Sequence, residues 1–490
     1  MKSTGFDDRK YVVAQSENIL KRVAQFQDKL YIEFGGKLFD DYHAARVLPG
    51  FVPGAKIEVM QTLKDKLEIV ICISAKDIER SKIRADFGIT YDSEALRMID
   101  KLRQMNLIVS SVVITMYENQ SRISKFLRQL KEKQVNVYMH KPMKDYPSNV
   151  NHIASLKGFG RNTYVKTTKP IVIVTAPGPG SGKLATCLSQ LYHEYQNGVK
   201  AGYAKFETFP IWNLPLNHLV NVAYEAATSD LEDKNEIDFF HKEKYGIETV
   251  NYNRDLEIFP VVLNILKKIT GEEIYHSPTD MGINMVKEGI VDDKIVAEAA
   301  KQEIIRRYHK MRCDIRTGDA ETQDLEKIMR LITDNHIDIN ERKVIEQALK
   351  KEKKTGKHAV AIELNDGNII TGRQTDIMSE GAACIINCLK HLANIADKVK
   401  LIPQHIFEAI IDLKKNHYPH NKSLLNISDV LIAISVQSRF DDNAKLALEK
   451  LGELQGCEAH STVMQRDSNI SMFRNLQINL TSEPEYDIND

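Results

Sequence analysis

Neither sign of charge predominates in this 490-residue chain, where 67 lysines and arginines balance 67 aspartates and glutamates. Such a balance leaves no bulk field to draw in nucleic acid or an anionic membrane. Long apolar runs are also lacking, since none approaches the roughly 20 residues of a spanning helix. The opening MKSTGFDDRKYVV has no apolar signal core, so a cytoplasmic protein without a membrane partner is expected. Cysteine is sparse. Cys72, Cys187, Cys313, Cys384, Cys388 and Cys457 are scattered through apolar segments, which suits buried reduced thiols and argues against a disulfide framework. No G-x-S-x-G elbow, H-E-x-x-H helix or C-x-x-C pair occurs, so hydrolase triads, zincin proteases and redox motifs have no sequence support.

What remains is an ordinary globular composition, 42% hydrophobic and 27% charged. The length suggests about three domains. The stretch that organises the chain is KPIVIVTAPGPGSGKLATCLSQ, beginning at Lys169. Ile171 to Val174 form a continuous apolar run, the mark of a strand buried on both faces of a parallel sheet. Pro177, Gly178, Pro179, Gly180, Ser181 and Gly182 then allow a tight turn, and Lys183 opens a helix. A helix N-terminus directs unpaired N–H groups outward and attracts anions, so Gly178, Gly180, Ser181, Gly182 and Lys183 are the candidate phosphate-binding residues. The alternative is a glycine-rich structural turn with an exposed lysine.

The loop departs from G-x-x-x-x-G-K-[ST] at both ends, with Pro177 in place of the first glycine and Leu184 in place of the hydroxyl residue that ligates Mg²⁺. Thr186 is a poor replacement, because two further helical residues turn its side chain by about 200°. No apolar run ending in Asp follows as a second Mg²⁺ anchor. A phosphate site is therefore better supported than an ordinary P-loop ATPase.

Upstream, strands are expected at 28–34, 68–74, 108–116 and 135–139, alternating with helices at 10–26, 55–66, 93–104 and 120–132. Joined to the loop without a low-complexity linker, they predict one doubly wound, mainly parallel sheet. Asp40, Asp41, His43 and Arg46 follow the first strand's C-terminal end, where open α/β sheets bind ligands. Lys76, Asp77, Arg80, Lys82, Arg84 and Asp86 read either as a solvated helix or as an anion-binding edge, with Arg84 as a candidate clamp. Asp86-Phe87-Gly88 matches the kinase metal-binding triplet by chance, since the other kinase motifs are missing.

Downstream, a strand near 203–206 ends at Glu207 and Thr208, and Glu207 is a candidate base or metal ligand. Asp230, Glu232, Asp233, Glu236 and Asp238 form an acidic cluster. Asp230 is a candidate for the same role, Mg²⁺ being the ion it could hold, although such clusters are commonly hydrated surface. Arg254, in VNYNRD, is a second candidate clamp that Asp255 could orient. HSPTDMGIN at 276–284 reads as a polar turn. Helices at 291–313, 320–333 and 340–354 compose a helical middle domain, and KKEKKTGK at 350–357 marks a boundary.

The C-terminal part begins as a hairpin around Asn365-Asp366-Gly367. Helices at 380–396, 404–415 and 443–454 and strands at 430–435 and 458–462 follow, a second, smaller α/β unit. A hairpin followed by a helix opening at Gly381-Ala382-Ala383-Cys384 looks like the cytidine-deaminase scaffold, but Ile386 replaces the glutamate and no P-C-x-x-C follows, so a scaffold without zinc is expected. Cys457, Glu458, His460 and Asp467 resemble metal ligands by type, yet strand alternation separates Cys457 from His460. The expected domains are 1–285, 286–355 and 356–490.

The stretches YIEFGGKLFDDYHAARVLPG, KIRADFGITYD, TAPGPGSGKLATCLSQLYHEY, AKFETFPIWNLPL, VNYNRD, SPTDMGIN and GCEAHST resemble a bacterial family designated domain of unknown function eighteen forty-six. They span nearly the whole chain. The resemblance implies a soluble bacterial protein with this multidomain α/β arrangement and supplies no reaction. Three functions stay open. One is an enzyme using ATP or another phosphorylated ligand on a small metabolite, as a transferase or hydrolase, with Lys183 neutralising charge, Arg84 and Arg254 clamping, and Glu207 or Asp230 as base or Mg²⁺ position. The second is a nucleotide-binding regulator without turnover. The third is an assembly protein whose C-terminal domain makes homo-oligomers.

Overall fold

The computed structural model describes residues 4–27, 29–39, 41–84, 88–417 and 424–486. Asp40, Asp86 and Phe87, named above, and residue 28, the start of the first expected strand, lie outside the described residues. The chain divides into two compact units, Thr4–Ala300 and, from Lys301 on, the remainder.

The first unit is built on a seven-stranded sheet in which every adjacent pair is parallel. The spatial order is Gly282–Ile283, Gly202–Phe206, Leu30–Phe34, Ile171–Thr175, Leu67–Ser74, Val109–Thr115 and Asn136–Met139. The chain thus runs outward through the strands at 67–74, 109–115 and 136–139. It then returns to place Ile171–Thr175 beside the first strand and continues to the opposite edge. Ile171 to Val174 are almost wholly buried. Each such aliphatic side chain contributes roughly 1.5–3 kcal/mol, which is why this segment holds the centre of the sheet. The strand that precedes the glycine-rich loop therefore lies where the strand order reverses, the usual place for a ligand crevice in an open α/β sheet.

Several expectations shift. The basic stretch after Ser74 is not one solvated helix: the helix Ala75–Glu79 is followed by the short strands Ile83–Arg84 and Ile89–Thr90, which pair antiparallel. The segment expected as a polar turn at 276–284 contains the helix Pro278–Met281 and the edge strand Gly282–Ile283. Trp212 packs over that strand, and a Cβ at Gly282 would overlap its ring.

The second unit contains a four-stranded sheet in the order Ile369–Arg373, Ala359–Glu363, Glu458–Ser461, Asn479–Ser482. Its first two pairings are antiparallel and the last is parallel. The hairpin forms as expected, with Ile362 opposite Ile370. Helix Glu380–Leu392 lies so close to it that a Cβ at Gly372 would come within 2.2 Å of the Cys384 amide nitrogen. The expected strand at 430–435 is instead part of helix Ile427–Gln437. Asn426 and Asp429 form a reciprocal capping box at its start, and Ile427, Val430, Leu431 and Ile434 are buried at helical spacing. The expected helix at 443–454 breaks into Asp442–Glu449 and a 3-10 turn, Leu451–Leu454. All six cysteines are free, five of them buried. Among the described residues no helix is long and apolar enough to cross a membrane.

Candidate active site at the C-terminal edge of the parallel sheet

Ile171–Thr175 ends in the loop 176–182, and helix Lys183–Gln196 begins at once. Backbone constraints explain the loop's composition. Gly180 and Gly182 have φ of 73° and 83°, a region that side chains with a Cβ disfavour. A Cβ at Gly178 would come within 2.3 Å of the Tyr91 hydroxyl oxygen, and one at Gly182 within 3.0 Å of Thr115. Ser181 is buried and its hydroxyl donates to the Gly178 carbonyl at 2.9 Å, while the Thr115 hydroxyl donates to the Ser181 carbonyl at 2.8 Å. The loop is thus held from both sides. Its apex, Pro179 and Gly180, is exposed, and a Cβ at Gly180 would meet nothing within 4 Å. No side chain caps the helix that follows. Its first N–H groups have no partner within the helix.

Lys183 extends toward the neighbouring strand, its Nζ 3.9 Å from Glu33 Oε1. That separation is beyond hydrogen-bond length, and the ammonium makes no hydrogen bond among the described residues. Glu33 accepts instead from the Tyr203 hydroxyl at 2.9 Å. Burial, and then the Glu33 charge, raise the Tyr203 hydroxyl well above its ordinary pKa and push Tyr146 up to about 12.

Glu207 lies just past the end of Gly202–Phe206. Lys205 Nζ reaches Glu207 Oε1 at 2.8 Å and both Asp255 oxygens at 2.7 Å. Burial works to lower the Lys205 pKa, but the carboxylates of Asp255, Glu207 and Glu33 together raise it, so this lysine stays charged. Glu207 moves the other way. Burial raises its carboxyl to about 7, Lys205 opposes the rise, and Asp255 and Glu33 add to it. Its second oxygen, Oε2, is buried without a hydrogen-bond partner, and so is the Thr208 hydroxyl beside it. Buried polar atoms of this kind are uncommon, and a water or ligand is a frequent reason for them. Gly35 makes room for the glutamate, because a Cβ there would lie 3.1 Å from Glu207 Cγ.

The other expected residues fall around this core to different degrees. Arg254, 61% exposed, pairs with the buried Asp233 at 3.1 Å. Asp233 in turn feels Asp255, Lys205 and the exposed Asp230, so Arg254 and Asp230 belong to the rim of the same electrostatic neighbourhood. Asp255 engages Lys205 and does not orient Arg254. Arg84 reaches Glu94 at 2.7 Å, and Glu94 also accepts from Arg97. Asp41 pairs with the buried Lys56 at 3.0 Å and caps the helix Tyr42–Val47, while His43 packs edge-on against Phe209 and Tyr224. Within the acidic stretch, Asp238 caps helix Phe239–Tyr245 and accepts from the Thr279 amide and hydroxyl. Thr186 faces inward, its hydroxyl accepting from Cys72 Sγ at 3.4 Å.

Glu33, Lys205 and Tyr203 are not among the residues expected at the site from the sequence. A signal was present: Glu33 in LYIEF and Lys205 in GYAKF are single charges embedded in otherwise apolar strands near their C-terminal ends. A charge in such a run is costly unless it is paired, and paired charges at that end of a parallel sheet face the crevice.

Fold and site define an α/β protein with a phosphate-loop-like turn at the reversal of a parallel sheet and a buried charge cluster beside it. The chain belongs to the family described as domain of unknown function DUF1846. The family's N-terminal model matches residues 4–336 and its C-terminal model residues 340–490. Among its relatives is a UPF0371 protein from Clostridium tetani (strain Massachusetts / E88), 50% identical over 98% of both chains. UPF0371 proteins from Clostridium botulinum strains Alaska E43 and Kyoto are 51% identical, again over 98% of both chains.

Proposed function

We infer that the C-terminal edge of the seven-stranded sheet binds a small phosphorylated molecule, such as a nucleotide, and that the protein is an enzyme using it on a small metabolite. The observation that carries this reading is the convergence at one sheet edge of an uncapped helix N-terminus, Lys183, and a buried carboxyl with an unpartnered oxygen, Glu207. Gly180, Ser181 and Gly182 offer backbone N–H groups to the phosphate, and Lys183 neutralises part of its charge. With a pKa near 7, Glu207 accepts a proton from a hydroxyl nucleophile as its oxygen bonds to phosphorus, while the bond to the leaving oxygen breaks. Arg254 at the rim is a further positive group. Asp230 is an outer position for a cation such as Mg²⁺.

A second reading is binding without turnover, in a regulatory protein or an oligomeric assembly. It is favoured by Leu184, which stands where a P-loop carries its Mg²⁺-ligating hydroxyl, and by Thr186, which is turned to Cys72. The likeness of the second unit to a zinc-free cytidine-deaminase scaffold rests on its hairpin and following helix and adds no chemistry to either reading. The test is a thermal-shift and calorimetric screen of nucleotides, sugar phosphates and inorganic phosphate, with and without Mg²⁺, on wild type and Lys183→Ala. A ligand stabilising only the wild type supports the site, and product on long incubation separates the enzyme from the regulator. Equal binding by both proteins removes the site.

A further inference from the structure

His309, His460 and Glu483 come from three distant parts of the second unit and meet in its interior. His309 lies on helix Asp293–Thr317, His460 in strand Glu458–Ser461, and Glu483 directly follows strand Asn479–Ser482. Parallel pairing of those two strands sets His460 opposite Thr481 and brings Glu483 to the same end. One nitrogen from each imidazole and one carboxylate oxygen lie within 4.8 Å of one another. His460 Nε2 is 3.3 Å and His309 Nδ1 3.7 Å from Glu483 Oε1. A zinc ion held at about 2.0–2.2 Å by N and O ligands in a tetrahedron separates its ligand atoms by about 3.4 Å, so these groups need to move by little more than an ångström.

The hydrogen bonds around the cluster leave its inward-facing nitrogens without partners. His309 and His460 are almost wholly buried, and neither nitrogen of His309 nor Nε2 of His460 makes a hydrogen bond. The Thr481 hydroxyl donates to the Ala459 carbonyl at 3.1 Å and accepts from Arg342 Nε at 3.2 Å. That network assigns the hydrogen between His460 and Thr481, 2.9 Å apart, to His460 Nδ1. His460 Nε2 is then left with a lone pair facing a carboxylate. Glu483 Oε2 is held by Arg312 at 3.0 Å, which leaves Oε1 on the side of the two imidazoles. Imidazole nitrogens without hydrogen-bond partners and a carboxylate oxygen, gathered within 4.8 Å of one another in a buried place, form a donor set that a cation takes. The Nδ1–H bond to Thr481 is also the outer contact that metal-bound histidines characteristically make.

We propose that His309, His460 and Glu483 hold a divalent transition-metal ion of the zinc class. Two neutral imidazoles and a carboxylate match the ligands of Zn²⁺ and the later first-row metals better than those of Mg²⁺ or Ca²⁺, which take oxygen. Three protein ligands leave the fourth position to water or an anion. An open groove lined by Arg312, Ile315, Arg316, Leu325, Pro484 and Glu485 lies beside the segment that carries Glu483. This site is independent of the phosphate reading. His460 is the only member of it among the ligand types noted in the C-terminal sequence. Cys457 points to the Glu453 carbonyl, Glu458 is bound by Arg306 and Arg342, and Asp467 starts a helix.

The test uses the full chain after exhaustive dialysis against a chelator, titrated with Co²⁺ and then Zn²⁺. Wild type should develop the visible absorption of tetrahedral or five-coordinate Co²⁺, saturating at one equivalent and bleached by one equivalent of Zn²⁺. Glu483→Gln, nearly isosteric at a partly exposed position, should abolish that absorption while keeping the far-ultraviolet circular dichroism of the wild type. Thr481→Val, acting through His460, should weaken Zn²⁺ binding roughly 10–100-fold. A wild type showing no Co²⁺ absorption at one equivalent overturns the proposal, as does a Glu483→Gln chain that retains wild-type absorption and affinity.

Discussion

Glu207 is the group on which the proposed chemistry turns, and its protonation has a measurable signature without any ligand. Burial holds its carboxyl at about 7 instead of its ordinary 4.5. The folded chain therefore carries a proton that the unfolded chain has already lost between those two values. Where the folded state binds more protons, stability falls as pH rises. At about 1.4 kcal/mol per pH unit, the whole effect is about 3 kcal/mol, reached by pH ~7 and constant above it. The side chain is only 13% exposed, so solvent screens little of this. Glu207→Gln imitates the protonated form at every pH. Unfolding by urea, followed at pH 4.5, 5.5, 6.5 and 7.5 for both chains, should show the variant gaining on the wild type by up to ~3 kcal/mol across the series. A difference that stays constant with pH, or that grows toward acid, would refute the raised pKa of Glu207 and with it the reason for assigning it the proton-acceptor role.

Other consequences follow from single contacts. Gly178→Ala should destabilise the chain by about 1–3 kcal/mol, because its Cβ is forced against Tyr91, and Tyr91→Leu should recover part of the loss in thermal unfolding. Thr115→Val deletes the bond to the Ser181 carbonyl and should cost about 1 kcal/mol while weakening phosphate binding. Arg342 is buried and donates to Glu458, to the Ala459 and Asn479 carbonyls and to Thr481. Its replacement by Met should cost about 3–5 kcal/mol in urea unfolding, and Lys should not restore it, since an ammonium lacks the planar fork.

The parts of the fold that were legible in the sequence are those with local causes. The apolar run Ile171–Val174, the glycines after it and the Asp-Gly hairpin each specify their structure within a few residues. Strand order was not legible, because Ile171–Thr175 is inserted between two strands from more than ninety residues upstream by packing alone. The run at 430–435 misled by its β-branched composition, although the capping pair Asn426 and Asp429 marked a helix start. In the candidate site, the loop and Lys183 stood out by pattern and Glu207 by position. Glu33 and Lys205 were masked by the apolar strands that carry them. His309, His460 and Glu483 lie too far apart in the chain for any spacing rule to join them.

The proposed chemistry stands or falls with whether the loop before Lys183 receives a phosphate group. Its most direct test is a crystal structure of the wild-type chain with ADP or pyrophosphate. Phosphate oxygens should lie on the N–H groups of residues 180–183, with Lys183 turned from Glu33 toward them and the second oxygen of Glu207 facing the same space. A phosphate bound elsewhere on the chain, or a loop left empty beside an unmoved Lys183 at saturating ligand, would contradict it.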